Sequence, residues 1–338
     1  MKTRRLGRSG LVVSEICMGT MTFGVQADEA ESSAILDKAF AAGVNFLDVA
    51  EVYPVPPSPA YAGRSEEIVG RWLKGRPRDS VIVATKVAGP SGGWFVAPVR
   101  SGNTGLDRHS IRIAIEGSLR RLGTDYIDLY QTHWPDAGLA YDETMEALDR
   151  AVHEGKIRAV GCSNETAWGL MKSLAASDAA GLVRHETIQN NFSLMHRRFE
   201  DELARVCRAE GISLLPYSPL GGGLLSGKYQ GGAWPDGSRF SAYRADARRG
   251  ARMAARFVND ATRGTYEKMA EIATTHGVAP ATFAIAWTLS RDFVGSTIIG
   301  ATHRDQLDAT LAAADVKLPA EALQAVDKLS SDIRYPME

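Results

Sequence analysis

The sequence predicts an α/β fold of TIM type, a (β/α)8 barrel forming one domain over residues 1–338, and three observations predict it. Short β-branched runs alternate with longer amphipathic stretches, the pattern of parallel βα units. Eight strand-like runs follow an opening hairpin, and no linker divides the chain. The longest irregular segments all follow strands rather than helices, so a barrel gathers them on its C-terminal face. A doubly wound sheet is the structural competitor, but no G-x-G-x-x-G follows a strand, and GGGLLSG comes only after the seventh run.

The N-terminal β-hairpin is read from TRRLG, the turn RSG and LVVSE. The eight strands are EICMGT, NFLDVA, VIVATK, YIDLYQTH, IRAVGCSN, ETIQNN, ISLLPYS and STIIGA. Helices with start and stop signals run from Asp28 to Ala42 before Gly43, Ser65 to Lys74 before Gly75, and Asp107 to Leu122 before Gly123. Others run from Asp142 to Glu154 before Gly155, Glu165 to Ala176, Arg197 to Glu210 before Gly211, Gly264 to His276 before Gly277, and Arg304 to Ala313. The long βα loops are Pro54 to Arg64, Gly89 to Leu106, Trp134 to Tyr141 and Ser218 to Asn259. Loops of that length at that end of a barrel are expected to enclose substrate. The piece GSRFSAYRADARRGAR reads as a loop that a ligand would order.

Composition excludes several classes of function. The 39 Lys and Arg balance 40 Asp and Glu, and a net charge of −1 gives no electrostatic grip on nucleic acid or a membrane surface. Cys17, Cys162 and Cys207 are odd in number and lack CxxC spacing, which fits reduced thiols better than disulfides or a zinc site. The N-terminal apolar stretch is short and broken by Ser14 and Glu15, unlike a signal peptide, and no uninterrupted apolar run reaches the ~18 residues of a membrane span. A cytoplasmic location is expected.

In a barrel the strand ends converge on one mouth, and here they carry polar residues: Asp48, Lys86, His133, Ser163 with Asn164, Gln189 with Asn190, and Tyr217. Each alone has an ordinary explanation. Lys86 ends a strand in solvent, His133 is a satisfied core histidine, Asp48 caps a turn, and Gln189 and Asn190 bond loop backbone. Jointly, an acid, a lysine and an imidazole at neighbouring strand ends share a small, partly dry pocket and must pair. The turn in DVAEVYP brings Tyr53 back over that mouth. A free phenol titrates near ~10. A nearby ammonium is expected to lower it, with Asp48 keeping Lys86 charged and His133 holding a substrate carbonyl. Such a set delivers a proton to an oxygen while another group attacks the carbon. A metal-dependent hydrolase needs clustered His and carboxylate ligands at strand ends; only His133 is so placed, and no metal is expected.

The residues resemble the aldo-keto reductases, and within them the bacterial Tas-like, tyrosine-auxotrophy-suppressor subgroup. The likeness runs from RRLGRSGLVVSEICMGTMTFG through DVAEVYPVPP, TDYIDLYQTHWP, GKIRAVGCSNETAWG, TIQNNFSL, LLPYSPLGGGLLSGKY and IIGATHRDQL. It implies a barrel that binds NADPH/NADP+ without a Rossmann domain, and a catalytic tetrad of Asp48, Tyr53, Lys86 and His133. Tyr53 is then the general acid, and the nicotinamide supplies hydride. Ser163, Asn164 and Gln189 match positions that hold the carboxamide, and Tyr217 matches the aromatic that stacks on the nicotinamide. Ser218, Leu220, Gly222 and Lys228 match the cover of the pyrophosphate. Gly300, Thr302, His303, Arg304 and Gln306 fall where the 2′-phosphate and adenine bind.

Physics supports that last site, because GATHR opens a helix whose free amides and dipole favour a phosphate, and His303 and Arg304 add positive charge suited to NADPH. Two departures stand out: Ala309 and Thr310 replace the Glu and Asn that would touch adenine, and Val49 and Pro54 replace the commoner Thr and Gly. Trp94, Phe95, Trp134 and Tyr141 lie in βα loops and are expected to line an apolar pocket. The implied activity is NADPH-dependent reduction of a small-molecule ketone or aldehyde, or its reverse on a secondary alcohol. The alternative is an NADPH-binding regulatory subunit like the potassium-channel β subunits. The substrate, the direction and the oligomeric state are left open.

Overall fold

The floor of the molecule is made by its first fourteen residues. The computed structural model describes residues 1–90, 98–245, 250–333 and 335–337. β1 (Thr3–Arg5) and β2 (Val12–Ser14) pair antiparallel, as the hairpin reading expects. Leu6, Leu11 and Val13 are buried in one cluster with Cys17, Phe46, Ala84, Leu129, Ala159, Leu215 and Ile298. The hairpin therefore plugs the barrel's lower end with apolar side chains.

The eight strands are β3 (Ile16–Gly19), β4 (Phe46–Asp48), β5 (Ile82–Val87), β6 (Ile127–Thr132), β7 (Ile157–Ser163), β8 (His185–Gln189), β9 (Ser213–Leu214) and β10 (Thr297–Gly300). They pair in parallel in the order β10-β3-β4-β5-β6-β7-β8-β9. The ring closes through the backbone: Leu214 N donates to Phe293 O at 2.8 Å, Gly295 N to Leu214 O at 2.8 Å, and Ile298 N to Pro216 O at 3.0 Å. All eight runs read from the sequence form strands of this ring.

Around it lie α1 (Glu29–Ala41), α2 (Arg64–Leu73), α3 (Arg108–Leu122), α4 (Tyr141–His153), α5 (Ala167–Ala180), α6 (Leu203–Glu210), α7 (Arg239–Ala245), α8 (Gly250–Phe257), α9 (Asp260–Thr275), α10 (Pro280–Leu289), α11 (Leu307–Leu311) and α12 (Ala320–Asp332). The capping signals operate as read at Asp28 and Asp107, whereas α2 and α4 start at Gly63 and Ala140 without a side-chain cap. Asp107 accepts from the amides of His109 and Ser110 at the start of α3, and Gly123 closes it at φ +64°. α10 escapes the periodicity argument because eight of its ten residues are buried, so it has no polar face to set a stripe. The loop expected from Ser218 to Asn259 contains α7 and α8; Phe240 gives α7 an anchor, its ring buried 5.5 Å from that of Tyr229. The helix expected from Arg197 to Glu210 starts at Leu203, after a 3-10 turn at Arg198–Glu200. Among the described residues no helix is long and apolar enough to cross a membrane.

α2 and α3 meet at a glycine. A Cβ on Gly70 would stand 2.5 Å from the carbonyl oxygen of Arg121 and 2.6 Å from that of Leu122. In an exposed helix Gly→Ala gains ~1 kcal/mol. Backbone atoms cannot step aside like a side chain, so Gly70→Ala is expected to destabilise by about 1–3 kcal/mol instead. Its denaturant midpoint against wild type measures the sign.

Candidate active site

Inward-facing positions recur every second residue along each strand. The lower ones are apolar: Phe46 on β4, Ala84 on β5, Leu129 on β6 and Ala159 on β7, all in the cluster above the hairpin. Two residues further up, the same strands carry Asp48, Lys86, Gln131 and Gly161. The strand period thus places a polar layer on an apolar one.

Lys86 is fully buried, and its Nζ donates to Asp48 Oδ2 at 2.7 Å, to Val49 O at 2.7 Å and to the Tyr53 hydroxyl at 3.3 Å. The other Asp48 oxygen accepts from Gln189 Nε2 at 2.7 Å. Tyr53 reaches the lysine because the chain turns after β4: Tyr53 N donates to Ala50 O at 3.0 Å. The turn packs Ala50, Val52, Tyr53 and Ala88 with Met21, Val55, Val99 and Trp134. Glu51 pins it from behind, accepting from Ala88 N at 2.6 Å and pairing with Arg100. Neither residue of that pair stood out in the sequence, because a lone Glu in a turn and a distant Arg carry no shared spacing. His133 closes the group, its ring stacked on Trp134 at 3.8 Å and edge-on to Tyr53 at 5.7 Å. The structure therefore brings together Asp48, Tyr53, Lys86 and His133, with Gln189 as a fifth member.

The electrostatics correct one expectation. Burial raises the Tyr53 phenol above its ordinary value, and the lowering by Lys86 does not overcome it. The phenol rests protonated, the state an acid requires. Burial works against the Lys86 charge too, but Asp48 and the Tyr53 oxygen outweigh it and its pKa rises. His133 is pushed well below its usual range, first by burial and then by Lys86, so its imidazole is neutral.

The residues expected around a nicotinamide form one hydrogen-bonded chain. Ser163 Oγ donates to Gln189 O at 2.7 Å, and Asn164 Nδ2 donates to His133 O at 2.8 Å and Ser163 Oγ at 3.2 Å. The Tyr217 hydroxyl donates to Asn164 Oδ1 at 2.7 Å. Asn164 and Ser218 both hold positive φ, +56° and +53°, at the top of their strands. Asn190 Nδ2 donates to Glu165 O at 2.9 Å, while its buried Oδ1 lacks a partner among the described residues.

Beyond Ser218 and Leu220, Gly221, Gly222 and Gly223 all have positive φ. A Cβ on Gly222 would lie 2.7 Å from the Phe240 ring, and one on Gly223 would lie 2.7 Å from Lys228 Nζ, so that loop carries an ammonium directly against its backbone. Burial, then the nearby Arg239, lowers the Lys228 pKa. Arg239, which sequence reasoning missed, opens α7 and leans across the mouth to 3.9 Å from Met21 Sδ. Its charge acts on Tyr53. Among the described residues neither Lys228 nor Arg239 forms an ion pair with a carboxylate. Two unneutralised cations over a glycine loop fit a diphosphate. Arg239 lay in GSRF, inside a run read as loop, and nothing in that run set it apart.

The segment after β10 differs from its reading. In place of one helix from Arg304 there is a 3-10 turn at Arg304–Gln306, then α11, then a 3-10 turn at Ala312–Asp315. Its leading amides are not free: Thr302 N donates to Gln306 Oε1 at 2.9 Å, Arg304 N to Glu31 Oε1 at 2.6 Å, and Asp305 N to His303 Nδ1 at 3.4 Å. Two of these caps come from the segment itself, Gln306 and His303, and the third from Glu31 on α1. Gly300 is exposed beside it. Thr310 is buried and bonds Leu307 O, and Ala309 O accepts from Thr282 at 2.7 Å, so neither presents a polar side chain outward. Trp134 lies in the site against His133, whereas Tyr141 hydrogen-bonds Glu165 at 3.0 Å, edge-on to Trp168. Trp94 and Phe95 lie outside the described residues.

Comparison with known proteins gives a consistent picture. Residues 15–331 match the family model described as the Aldo/keto reductase family. The chain is 40% identical to Protein tas of Escherichia coli (strain K12), covering 99% of both. It is 35% identical to an uncharacterized oxidoreductase, YrpG, of Bacillus subtilis (strain 168), covering 97% of this chain and 96% of that one. A probable voltage-gated potassium channel subunit beta of Oryza sativa subsp. japonica is 34% identical over 99% of this chain and 97% of its own.

The barrel holds a second buried imidazole, His185, at the start of β8, and burial lowers it to about 4. An unfolded histidine titrates at ~6.5, so the unfolded chain binds a proton that the folded chain refuses between those values. Stability is full above pH ~6.5 and is lost as pH falls towards 4, by ~3 kcal/mol for this one group. His185→Leu is expected to flatten that slope, measured as denaturant stability from pH 7 to 4.

Proposed function

The chain belongs to the aldo/keto reductase family, and on that premise we propose that it is a cytoplasmic, NADP(H)-dependent reductase that interconverts small-molecule ketones or aldehydes with secondary alcohols. The observation that carries the reading is a neutral, buried phenol 3.3 Å from an ammonium that a buried carboxylate holds in place.

When bound, NADPH supplies a hydride to the carbonyl carbon. The residues of the chain do the rest. Tyr53 gives its proton to the oxygen as charge develops there. Lys86 stabilises the phenolate left behind, in a site where burial makes that interaction stronger than in water. Asp48 and Gln189 keep Lys86 aimed at the phenol. His133, neutral, holds the substrate oxygen by a hydrogen bond without competing for the proton. In the reverse direction Tyr53 accepts the alcohol proton.

Tyr217 offers a face for the nicotinamide, with Ser163, Asn164 and Gln189 at its carboxamide. Ser218, Leu220, Gly222, Lys228 and Arg239 surround the diphosphate; Gly300, Thr302, His303, Arg304 and Gln306 take the 2′-phosphate and adenine. Trp134 lines the substrate side. The likeness to a potassium channel subunit supports a second reading, a cofactor-binding regulatory protein with little turnover. The complete set of Asp48, Tyr53, Lys86 and His133 favours turnover.

Tyr53→Phe is expected to lower kcat by ~10²–10⁴-fold while NADPH binding stays close to wild type. Turnover of a panel of aldehydes and ketones, alongside a fluorescence titration of NADPH, checks both halves. Near-wild-type kcat in the variant would remove Tyr53 as the acid, and wild type that binds NADPH but turns over nothing would favour the regulatory reading. Arg304→Ala is expected to raise the KM for NADPH ~10-fold, as loss of one charge-assisted contact does, with little effect on that for NADH. Equal effects on the two would take Arg304 out of the phosphate site.

A further inference from the structure

Glu31 lies at the third position of α1, where Asp28 caps its amide at 2.8 Å. A Glu at that position commonly folds back onto the cap residue's own amide. Here both oxygens reach across to the segment after β10 instead. Oε1 accepts from Arg304 N at 2.6 Å and Arg304 Nε at 3.2 Å, and Oε2 accepts from Arg304 Nη2 at 2.6 Å and Nε at 3.2 Å. His303 Nε2 stands 3.9 Å away. A backbone amide, a guanidinium fork and an imidazole on one anion are the contacts a phosphate makes. Packing does not require them, because Lys38 of α1 pairs with Asp308 of α11 at 2.6 Å, and Thr22 bonds Ala301 O at 2.6 Å beside them.

We propose that Glu31 sets the cofactor preference of this protein: its carboxylate occupies the contacts that a 2′-phosphate would use, which weakens NADPH relative to NADH. The inference rests on the reading of Arg304 as the 2′-phosphate site. A 2′-phosphate reaches Arg304 only by displacing Glu31 or lying beside a like charge. A ribose 2′-hydroxyl instead finds in Glu31 an acceptor that it can donate to. The hydrogen bonds from Arg304 hold the Glu31 carboxyl at about 2, so it stays ionised across the working pH range. Arg304 is half-exposed, and an ion pair in that setting is readily opened by a competing anion, so Glu31 tunes the preference and does not abolish NADPH binding.

The test is binding. Dissociation constants are measured by calorimetry for 2′,5′-ADP and 5′-AMP, and by fluorescence titration for NADPH and NADH, on wild type, Glu31→Gln, Glu31→Ala and Arg304→Ala, with thermal melts confirming the fold. Both Glu31 variants are expected to tighten 2′,5′-ADP and NADPH ~10-fold while 5′-AMP and NADH tighten not at all. Unchanged NADPH-to-NADH and 2′,5′-ADP-to-5′-AMP ratios in both Glu31 variants, with Arg304→Ala still selectively weakening NADPH, overturn the role of Glu31 and leave the phosphate site standing. An Arg304→Ala variant that weakens both cofactors equally overturns the phosphate site itself, and the inference with it.

Discussion

A lysine with no exposure to solvent is the constraint around which the barrel mouth is organised. Removing an ammonium from water costs several kcal/mol even after relaxation, and only close partners offset it. Lys86 has three: a carboxylate, a backbone carbonyl and a phenol. Asp48 is buried in its turn and needs a second donor, which Gln189 supplies from the far side of the ring. Each group answers the desolvation of the one before it. The Tyr53 phenol is therefore one of the partners that keeps a buried charge tolerable.

The barrel makes this affordable by geometry. β4, β5 and β8 each contribute one polar residue at the same height, above a cluster in which Phe46, Ala84 and Leu129 pack on the hairpin's Leu6, Leu11 and Val13. That apolar floor packs the barrel's lower end beneath the polar layer. From above, Glu51 and Arg100 tie the turn carrying Tyr53 to the loop after β5, since Arg100 also bonds Ala88 O at 2.9 Å. Tyr53 and Lys86 are thereby held by one loop pair as well as by adjacent strands.

Strand and tetrad positions were legible in the sequence because period-two burial and strand-end polarity are local patterns. Asp48, Lys86 and His133 stand at the ends of apolar runs, and counting strands brings them together. α10 was not legible, since TFAIAWTL is buried on all sides and shows no amphipathic period. The contacts Gln189–Asp48, Glu51–Arg100 and Glu31–Arg304 were not legible either. Each joins residues far apart in the chain through the rotamer of a long side chain, and no spacing rule encodes that. The same limit explains the segment after β10: GATHR announces an N-terminal turn correctly, but which donors remain free depends on Glu31, more than 270 residues earlier.

The state of Tyr53 shows how competing terms decide chemistry at this site. Lys86 alone would draw the phenol towards phenolate, a good base and a poor acid. Full burial opposes it more strongly, because a phenolate loses its hydration whereas a phenol loses little. Asp48 adds to that opposition while it anchors the lysine, so the residue that positions Lys86 also keeps it from ionising Tyr53 at rest. In the proposed reduction the balance reverses only when negative charge appears on a substrate oxygen beside the phenol: the proton then has an acceptor, and the phenolate left behind faces a charged lysine already in place. Preorganisation here means that the ammonium is fixed before the phenolate exists, so little rearrangement is needed at the moment of proton transfer.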